Sequence, residues 1–268
     1  MCGIVGGVTN TDITPLLLDG LNRLEYRGYD SSGLVVLSKD NKLDRQRAIG
    51  KVCNLENKLK TNKVKGKIGL AHTRWATHGG PSNKNAHPHI SKNSISVVHN
   101  GIIENYIDLK ALQIEQGYEF SSDTDTEVIA RGVEKYGDAF LDKLDGMFGL
   151  AIYFKREKQL LLARDSNGTK PVYYGFDKQF NICFSSEIKA LLEIGFERKL
   201  SKPAFAHYQK AGYNSGYLTL FEGIQKLVPG EVRTYDVIES NVINQRNLNN
   251  YKYEYHHTHE IRDRVNQA

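Results

Sequence analysis

Eight short apolar runs, each bounded by turn residues, limit the architectures open to this chain. Runs of this length, with many β-branched and aromatic residues, predict β-strands rather than helices. Several of these runs have apolar residues at both odd and even positions, which point to opposite faces of a strand. This favours strands covered on two faces, by helices or by another sheet, over an open sheet with one wet face. The runs are IVGGV, GLVVL, IGLAHT, SISVVH, MFGLAIYF, QLLLAR, PVYYGF and NICFSS.

Helical spacing of apolar residues predicts four helices between these runs. Residues 14–24 carry a proline at a plausible first helical position and leucines at helical spacing. Residues 104–116, and a segment starting near Thr124, each end before a glycine, and a shorter helix is predicted over 187–193. Strands, then a helix pair, then a long strand-rich half without a βαβ rhythm favour the α+β class with largely antiparallel sheets.

Composition and charge restrict the class of protein. The 268 residues suffice for one domain, and 40% hydrophobic with 25% charged residues is typical of soluble globular proteins. Because no apolar run approaches the roughly 18 residues of a membrane helix and no signal peptide is visible, we expect a cytoplasmic protein without a membrane partner. The net charge of +5 comes from scattered Lys and Arg, which argues against nucleic-acid binding.

The composition of the sequence changes after Tyr235, where Asn, Tyr and His become frequent and apolar residues become rare. We interpret residues 237–268 as a linker or loosely packed tail. Its last stretch, EIRDRVNQA, has Ile261 and Val265 four apart, like the first turns of a helix. We read it as the possible start of a missing or separate domain.

Cys2 follows the initiator methionine directly, in the stretch MCGIVGG. A thiolate is a strong nucleophile, but an ordinary cysteine needs a base near neutral pH. If Met1 is removed, Cys2 carries an α-amine whose ordinary pKa is about 7.7–8.0, so nucleophile and base share one residue. The alternative is that Cys2 is an incidental part of a short apolar strand. With Cys53 and Cys183 it forms no disulfide or zinc spacing, and reduced thiols are predicted.

Four further motifs place polar residues where a predicted strand or helix begins or ends: YRGYDSSG, AHTRWATHG, VHNG and SSDTDTE. Together with MCGIVGG they closely resemble the glutaminase domain of class II glutamine amidotransferases, over residues 1–236. The resemblance implies the αββα four-layer sandwich of the N-terminal-nucleophile hydrolases, with two largely antiparallel sheets. It also implies that Cys2 attacks the side-chain amide of glutamine, forms a thioester and releases ammonia.

The resemblance also assigns residues to the oxyanion and to the substrate. Asn100, through its side-chain amide, and Gly101, through its N–H, match the oxyanion pair, although Asn-Gly is also the chemistry of a strand-to-helix turn. Arg74 matches the residue that binds the α-carboxylate and Asp125 the residue that binds the α-ammonium. For Asp125 the alternative is a helix start, because residues 124–127 spell a capping box.

Trp75, Thr77 and His78 match pocket residues of relatives that transfer ammonia to a sugar phosphate. Arg27 matches an arginine near the nucleophile, and its alternative is a salt-bridged structural role. The chemistry requires no cofactor and no metal, and the histidines lack zinc spacing with cysteines. Those histidines are His72, His78, His87, His89 and His99, with a second group of His256, His257 and His259 in the tail.

The two halves of the sequence resemble enzymes that deliver ammonia to different acceptors. The first half resembles the glutaminase domain of glucosamine-6-phosphate synthase, whereas LDGMFGLAIYF, FSSEIKALLE and FEGIQKLVPGEV resemble asparagine synthetase. Weighting the second half predicts an asparagine-synthetase-like reaction on a partner subunit or a fused domain, since no SGGxDS segment is present. Two alternatives are an ammonia donor for amino-sugar synthesis and a catalytically idle, glutamine-binding regulatory module. A third is an amidase for another amide.

Overall fold

The computed structural model describes residues 2–177, 179 and 181–248. Within these residues the chain forms two antiparallel sheets. The strands are β1 (Gly3–Val8), β2 (Ser31–Leu37), β3 (Leu43–Ile49), β4 (Ile68–Arg74), β5 (His89–Ser91), β6 (Ile95–Ile103), β7 (Gly146–Phe154), β8 (Gln159–Arg164), β9 (Tyr173–Phe176), β10 (Ile182–Ser185), β11 (Ile224–Lys226), β12 (Glu231–Asp236) and β13 (Asn241–Asn247).

The seven-stranded sheet has the order β11-β9-β10-β1-β4-β2-β3, and the six-stranded sheet has the order β13-β12-β8-β7-β6-β5. Every pairing is antiparallel. The strand that begins after Cys2 therefore lies inside its sheet, between β10 and β4, where both of its edges are paired. This placement fixes the start of the chain in the centre of the molecule rather than at its rim.

Among the described residues six helices accompany the sheets, and the first, second, fourth and fifth of them in chain order pack on the outer faces. They are α1 (Thr14–Leu24), α2 (Val52–Thr61), α3 (Tyr106–Glu115), α4 (Asp125–Tyr136), α5 (Ile188–Glu193) and α6 (Lys202–Ala211), with 3₁₀ turns at Glu25–Arg27 and Gly137–Lys143. No helix among the described residues is long and apolar enough to cross a membrane.

Alternating side chains of the strands produce three layers of core. In β1, Ile4 packs between the two sheets, whereas its neighbour Val5 packs outward under α1, α2 and α5. In β6, Val98 packs between the sheets and Val97 packs outward with residues of α4. Both faces of these strands are buried, as their unbroken apolar pattern predicts. The observed order of helix, sheet, sheet and helix confirms the α+β four-layer sandwich.

The predicted elements are confirmed at all eight apolar runs and at the four helices, with boundary shifts of at most two residues except in β6, which continues four residues past the predicted end at His99. The sequence reasoning missed β3, β5, β11, β12, α2 and α6, which have few consecutive apolar residues. Within the segment interpreted as a linker or tail, Asn241–Asn247 form β13 and pair with β12. This edge strand is exposed along most of its length and needs only backbone hydrogen bonds to form. Because its sequence is polar, it has no apolar pattern from which a strand could be predicted. The helix suggested by EIRDRVNQA lies outside the described residues.

Candidate active site

The Cys2 side chain is buried where β1 begins, beside the end of β4. Gly3 pairs with Thr73, which brings Cys2 against the residues that follow Thr73 in the chain. The Trp75 N–H donates to the Cys2 Sγ at 3.4 Å, and the thiol donates to the Trp75 carbonyl at 3.6 Å. Burial raises the pKa of the thiol despite the opposing effects of Trp75 and Arg74. The thiol therefore needs a base to become a nucleophile.

Arg27 holds the main chain of Cys2 rather than its sulfur. Its Nε donates to the Cys2 carbonyl at 2.9 Å, and its Nη1 lies 2.5 Å from Glu187 Oε1. The salt bridge named as the alternative for Arg27 is thus present together with the contact to the nucleophile. Gly28 follows, and a Cβ there would lie 2.6 Å from the Arg74 carbonyl carbon, so only glycine permits this close approach.

Asn100 and Gly101 lie within β6, in the middle of its pairing with β7. The turn proposed as an alternative is therefore wrong, because the strand continues to Ile103. At Gly101 the φ angle is 155°, and a Cβ would meet the Met147 carbonyl oxygen at 1.9 Å, so this backbone requires glycine. β6 also contacts β4 directly, since His72 Nε2 lies 2.9 Å from the carbonyl oxygen of His99.

The Asn100 side chain is 1% exposed, and neither its Nδ2 nor its Oδ1 has a hydrogen-bond partner. An unsatisfied buried amide costs about 1–3 kcal/mol. Native proteins keep few such groups, and they deserve a specific explanation. A donor held ready for a charge that develops during a reaction is such an explanation.

Arg74 ends β4 and is 3% exposed. Its Nη2 donates to the carbonyls of His78 and Gly79, the latter at 2.8 Å, and its Nη1 lies 3.4 Å from the Gly80 carbonyl oxygen. The guanidinium therefore shapes the 75–80 loop in this structure. The pKa of Arg74 is lowered by burial, against the opposing charges of Cys2, Asp30 and Asp125, which lie within electrostatic reach.

The three remaining pocket candidates lie on that loop. Trp75 is 46% exposed, with its ring edge-on to Tyr29 at 5.6 Å, and Thr77 is exposed. The His78 ring packs against Tyr106 at 4.6 Å, and its buried Nε2 has no partner. The structure thus brings His78 inward and leaves Trp75 and Thr77 on the outside of the loop.

Asp125 is the first residue of α4 and is 4% exposed. Its Oδ2 accepts the Ile103 N–H at 2.9 Å and lies 3.8 Å from His99 Nδ1, which ties α4 to the end of β6. The predicted capping box does not form, because the Thr124 side chain makes no cap hydrogen bond. Glu127 accepts the N–H groups of residues 121 and 122 instead.

Four of the named histidines lie close together where β4, β5 and β6 meet the start of α4. His72 stacks on His87 at 3.9 Å, and His87 lies edge-on to His89 at 4.9 Å. Burial lowers the pKa of all four, to about 3 for His89, so they are neutral at neutral pH. His99, the fourth, contacts Thr126 Oγ1 at 3.0 Å. Across the described part of the chain no group of side chains is arranged to hold a metal ion. His256, His257 and His259 lie outside it.

Two acidic residues at the site were missed by sequence reasoning. Asp30 accepts the Ala76 N–H and so supports the loop after β4. Glu187 holds Arg27. Both stand inside motifs already quoted, YRGYDSSG and FSSEIKALLE. For Asp30 the available signal was an acid in the same motif as Arg27, whereas nothing in FSSEIKALLE indicated that Glu187 meets Arg27.

Comparisons with known proteins give relatives of this chain by family pattern, by sequence and by structure. The pattern of a family described as "Glutamine amidotransferase domain" matches residues 58–248. Glutamine–fructose-6-phosphate aminotransferase (isomerizing) of Shewanella oneidensis is 44% identical over 204 residues, covering 72% of this chain and 33% of that protein. Its counterpart from Clostridium acetobutylicum is 41% identical over 221 residues, covering 70% and 36%. The chain thus spans about a third of the length of these curated relatives.

Solved structures confirm the predicted N-terminal-nucleophile type of sandwich. Glutamine phosphoribosylpyrophosphate amidotransferase from B. subtilis, 23% identical, superimposes with a TM-score of 0.70, covering 92% of this chain and 49% of that chain. A structure described as the allosteric regulatory enzyme of purine biosynthesis has the same TM-score and coverage at 25% identity. At such identities the likeness concerns the fold, and the site residues rest on the geometry above.

Proposed function

This chain belongs to the class II glutamine amidotransferase family, and from that premise we propose that it hydrolyses glutamine through a Cys2 thioester and delivers the ammonia to an acceptor. The observation that carries the proposal is the buried Asn100 amide, which has no partner of its own. A group of this kind lowers stability, and its presence is explained if it donates to the oxyanion of the reaction.

The reaction needs few groups. Removal of Met1 leaves the Cys2 α-amine, which takes the proton of the thiol, and the thiolate attacks the side-chain carbonyl carbon of glutamine. Asn100 and the Gly101 N–H donate to the oxygen that becomes negative. As the carbon–nitrogen bond breaks, the α-ammonium of Cys2 returns its proton to the leaving nitrogen of glutamine, and ammonia departs. Water then cleaves the thioester, releasing glutamate and restoring the thiol.

Recognition of glutamine is assigned to Arg74 for the α-carboxylate and to Asp125 for the α-ammonium. Asp125 Oδ1 has only a 3.4 Å contact with Thr126 Oγ1, while Oδ2 is occupied by the Ile103 N–H. The carboxylate therefore has an oxygen available for a cation. Arg74 bonds three carbonyls of its own loop, so the substrate carboxylate has to compete with the 78–80 carbonyls or approach another edge of the guanidinium.

The acceptor is proposed to be of the fructose-6-phosphate class, on a fused or partner domain. Its support is the name shared by the relatives that are 41–45% identical to this chain. Of the three residues matched to the pocket of the sugar-phosphate relatives, His78 faces inward in this structure, whereas Trp75 and Thr77 lie on the outside of the loop. The expected asparagine-synthetase-like acceptor is not supported by these relatives. The resemblance behind it lay in segments of the second half of the chain that contain neither Arg74 nor Asp125.

An idle glutamine-binding module is the second candidate. It predicts binding without turnover, and it gives no reason to leave the buried Asn100 amide unsatisfied. An amidase for another amide predicts that Arg74 and Asp125 are dispensable for KM. Both alternatives are separated from the proposal by kinetics with glutamine.

The decisive test is release of glutamate and ammonia from glutamine by the purified chain, with its N-terminal mass determined. Cys2→Ala is expected to lower kcat by about a thousandfold or more. The matched control is Cys53→Ala, because Cys53 is an exposed thiol of α2 and is expected to leave kcat unchanged. A protein that lacks Met1, binds glutamine and shows no turnover would favour the idle module.

A further inference from the structure

We propose that Glu187 is a positioning residue for the nucleophile, acting through Arg27. The inference rests on the proposed function, because the placement of Cys2 matters only if its sulfur attacks the substrate. Glu187 precedes α5, in the second half of the chain, whereas Cys2 and Arg27 belong to the first elements. The fold therefore brings a distant acid to the start of the chain.

The path from Glu187 to Cys2 consists of two hydrogen bonds on one guanidinium. Arg27 Nη1 donates to Glu187 Oε1 at 2.5 Å, and Arg27 Nε donates to the Cys2 carbonyl at 2.9 Å. The guanidinium is planar and rigid, so fixing one of its nitrogens fixes the direction of the others. A carboxylate on Nη1 therefore determines where Nε points, and with it where the Cys2 main chain lies.

Glu187 is itself fixed on several sides. The Tyr26 hydroxyl donates to the same Oε1, and Lys189 Nζ lies 3.2 Å from Oε2. Burial disfavours the charged form, yet the hydrogen bonds from Tyr26 and Arg27 hold the pKa of Glu187 below its usual value. The group is thus an anchored carboxylate at neutral pH rather than a mobile surface acid.

The same segment clamps the first strand directly. The Ile4 N–H donates to Ser186 Oγ at 2.9 Å, and the Ser186 N–H donates to the Ile4 carbonyl at 2.9 Å. Ser186 thus holds β1 just after Cys2, and Glu187 holds Arg27 just beside it. Chain ends fray unless they are tied, and a nucleophile must be placed within fractions of an ångström. Loss of Glu187 leaves the buried Arg27 without its counter-charge and frees the Cys2 carbonyl to move.

The kinetic test compares Glu187→Gln with Glu193→Gln. Glu193 offers a matched control, because it lies on α5 and also pairs with arginines, Arg23 at 3.0 Å and Arg198 at 3.9 Å, but not with Arg27. We expect Glu187→Gln to lower kcat for glutamine about tenfold with KM within twofold, and Glu193→Gln to change both by less than twofold. Equal effects of the two variants would overturn the inference.

A double-mutant cycle tests whether Glu187 acts through Arg27. Arg27→Lys removes the Nε that reaches the Cys2 carbonyl. If Glu187 works only by orienting that Nε, adding Glu187→Gln to Arg27→Lys produces no further loss of kcat. Independent, multiplying losses in kcat would show that Glu187 acts by another route and would contradict the proposal.

Alkylation by iodoacetamide reports the position of Cys2 without any glutamine. Because Cys2 is buried and tied, we expect Glu187→Gln to raise its alkylation rate at least threefold while kcat falls. Cys183, fully buried in β10, serves as the internal control for general opening. Faster labelling of both cysteines, or of neither, would overturn the inference. A wild-type chain that labels normally but never turns over glutamine would instead contradict the proposed function.

Discussion

The two sides of the candidate site are built in opposite ways. On the nucleophile side, the Cys2 carbonyl, its sulfur and the neighbouring strand are all hydrogen-bonded, through Arg27, Trp75 and Ser186. On the oxyanion side, Asn100 is as deeply buried but its amide makes no hydrogen bond. The groups around Cys2 are held by hydrogen bonds, whereas Asn100 is held by the backbone pairing of its strand and its side chain makes no hydrogen bond.

This difference separates the two tasks of an acyl-transfer site. A nucleophile has to be placed before the substrate arrives, which favours many contacts to its main chain. An oxyanion donor has to be unoccupied until charge develops, because a donor already bonded to the protein gains little in the transition state. Mutations on the two sides should therefore separate activity from stability.

The largest effect is expected for Asn100→Ala. Removing one oxyanion donor lowers kcat by about 10²–10³. Because the amide has no hydrogen bond to lose, and because the gain from removing an unsatisfied buried group is offset by the cavity that the shorter side chain leaves, the free energy of unfolding is expected to change by less than about 1 kcal/mol. Steady-state kinetics and denaturant unfolding measure the two quantities.

Asn85→Ala is the matched control for stability. Asn85 is also buried, but its side chain bonds the Gly80 carbonyl and Asp123. It is expected to cost about 1–3 kcal/mol of unfolding free energy. If Asn100→Ala destabilises as much as Asn85→Ala, the contrast between satisfied and unsatisfied sides is wrong.

A smaller effect, on activity and stability together, is expected for Gly28→Ala on the nucleophile side. The added Cβ lies 2.6 Å from the Arg74 carbonyl carbon and 2.7 Å from the Trp75 nitrogen, so the backbone beside Cys2 must shift. We expect about 2 kcal/mol of destabilisation and roughly a tenfold loss of kcat.

Gly80→Ala provides the comparison, since its Cβ would enter open space. Its unfolding free energy is expected to stay within about 0.5 kcal/mol of wild type. Retention of full stability by Gly28→Ala in the same denaturant series would show that the nucleophile side is not tightly packed.

The smallest effect expected is a change in how the free energy of unfolding depends on pH, and it concerns His87. Burial, followed by the charges of neighbouring histidines, holds the pKa of His87 well below its usual range, so folded His87 stays neutral while the unfolded residue gains a proton below about pH 6.5. The unfolded state then binds more protons, and stability falls as pH drops through this range, by at most about 1.4 kcal/mol per pH unit for one histidine.

His87→Gln is expected to remove that share of the pH dependence between pH 7 and pH 5.5, measured by denaturant unfolding at each pH. Glutamine can still bond Thr126, the partner of His87. An unchanged slope in His87→Gln would show that this histidine is already accessible to protons.

The fold was predictable because its strands are buried on both faces. The IVGGV and MFGLAIYF runs carry that information locally, in their composition and length. β13 was missed because an exposed edge strand with a polar sequence leaves no such pattern. The capping box at Thr124 was predicted and did not form. Glu127 has the alternative of the Ser121 and Ser122 N–H groups, which only the folded loop supplies.

The sequence alone determined the α+β class with antiparallel sheets, because strand patterns are local properties of the chain, and its short motifs supplied the sandwich and the candidate residues through their resemblance to a known family. Only the tertiary structure decided that Asn100 is left unbonded, that Arg74 is engaged by its own loop, and that Glu187 reaches Arg27. These facts depend on contacts between segments far apart in the chain. Hydrogen-bond satisfaction is a property of the assembled surroundings, and no single segment contains it.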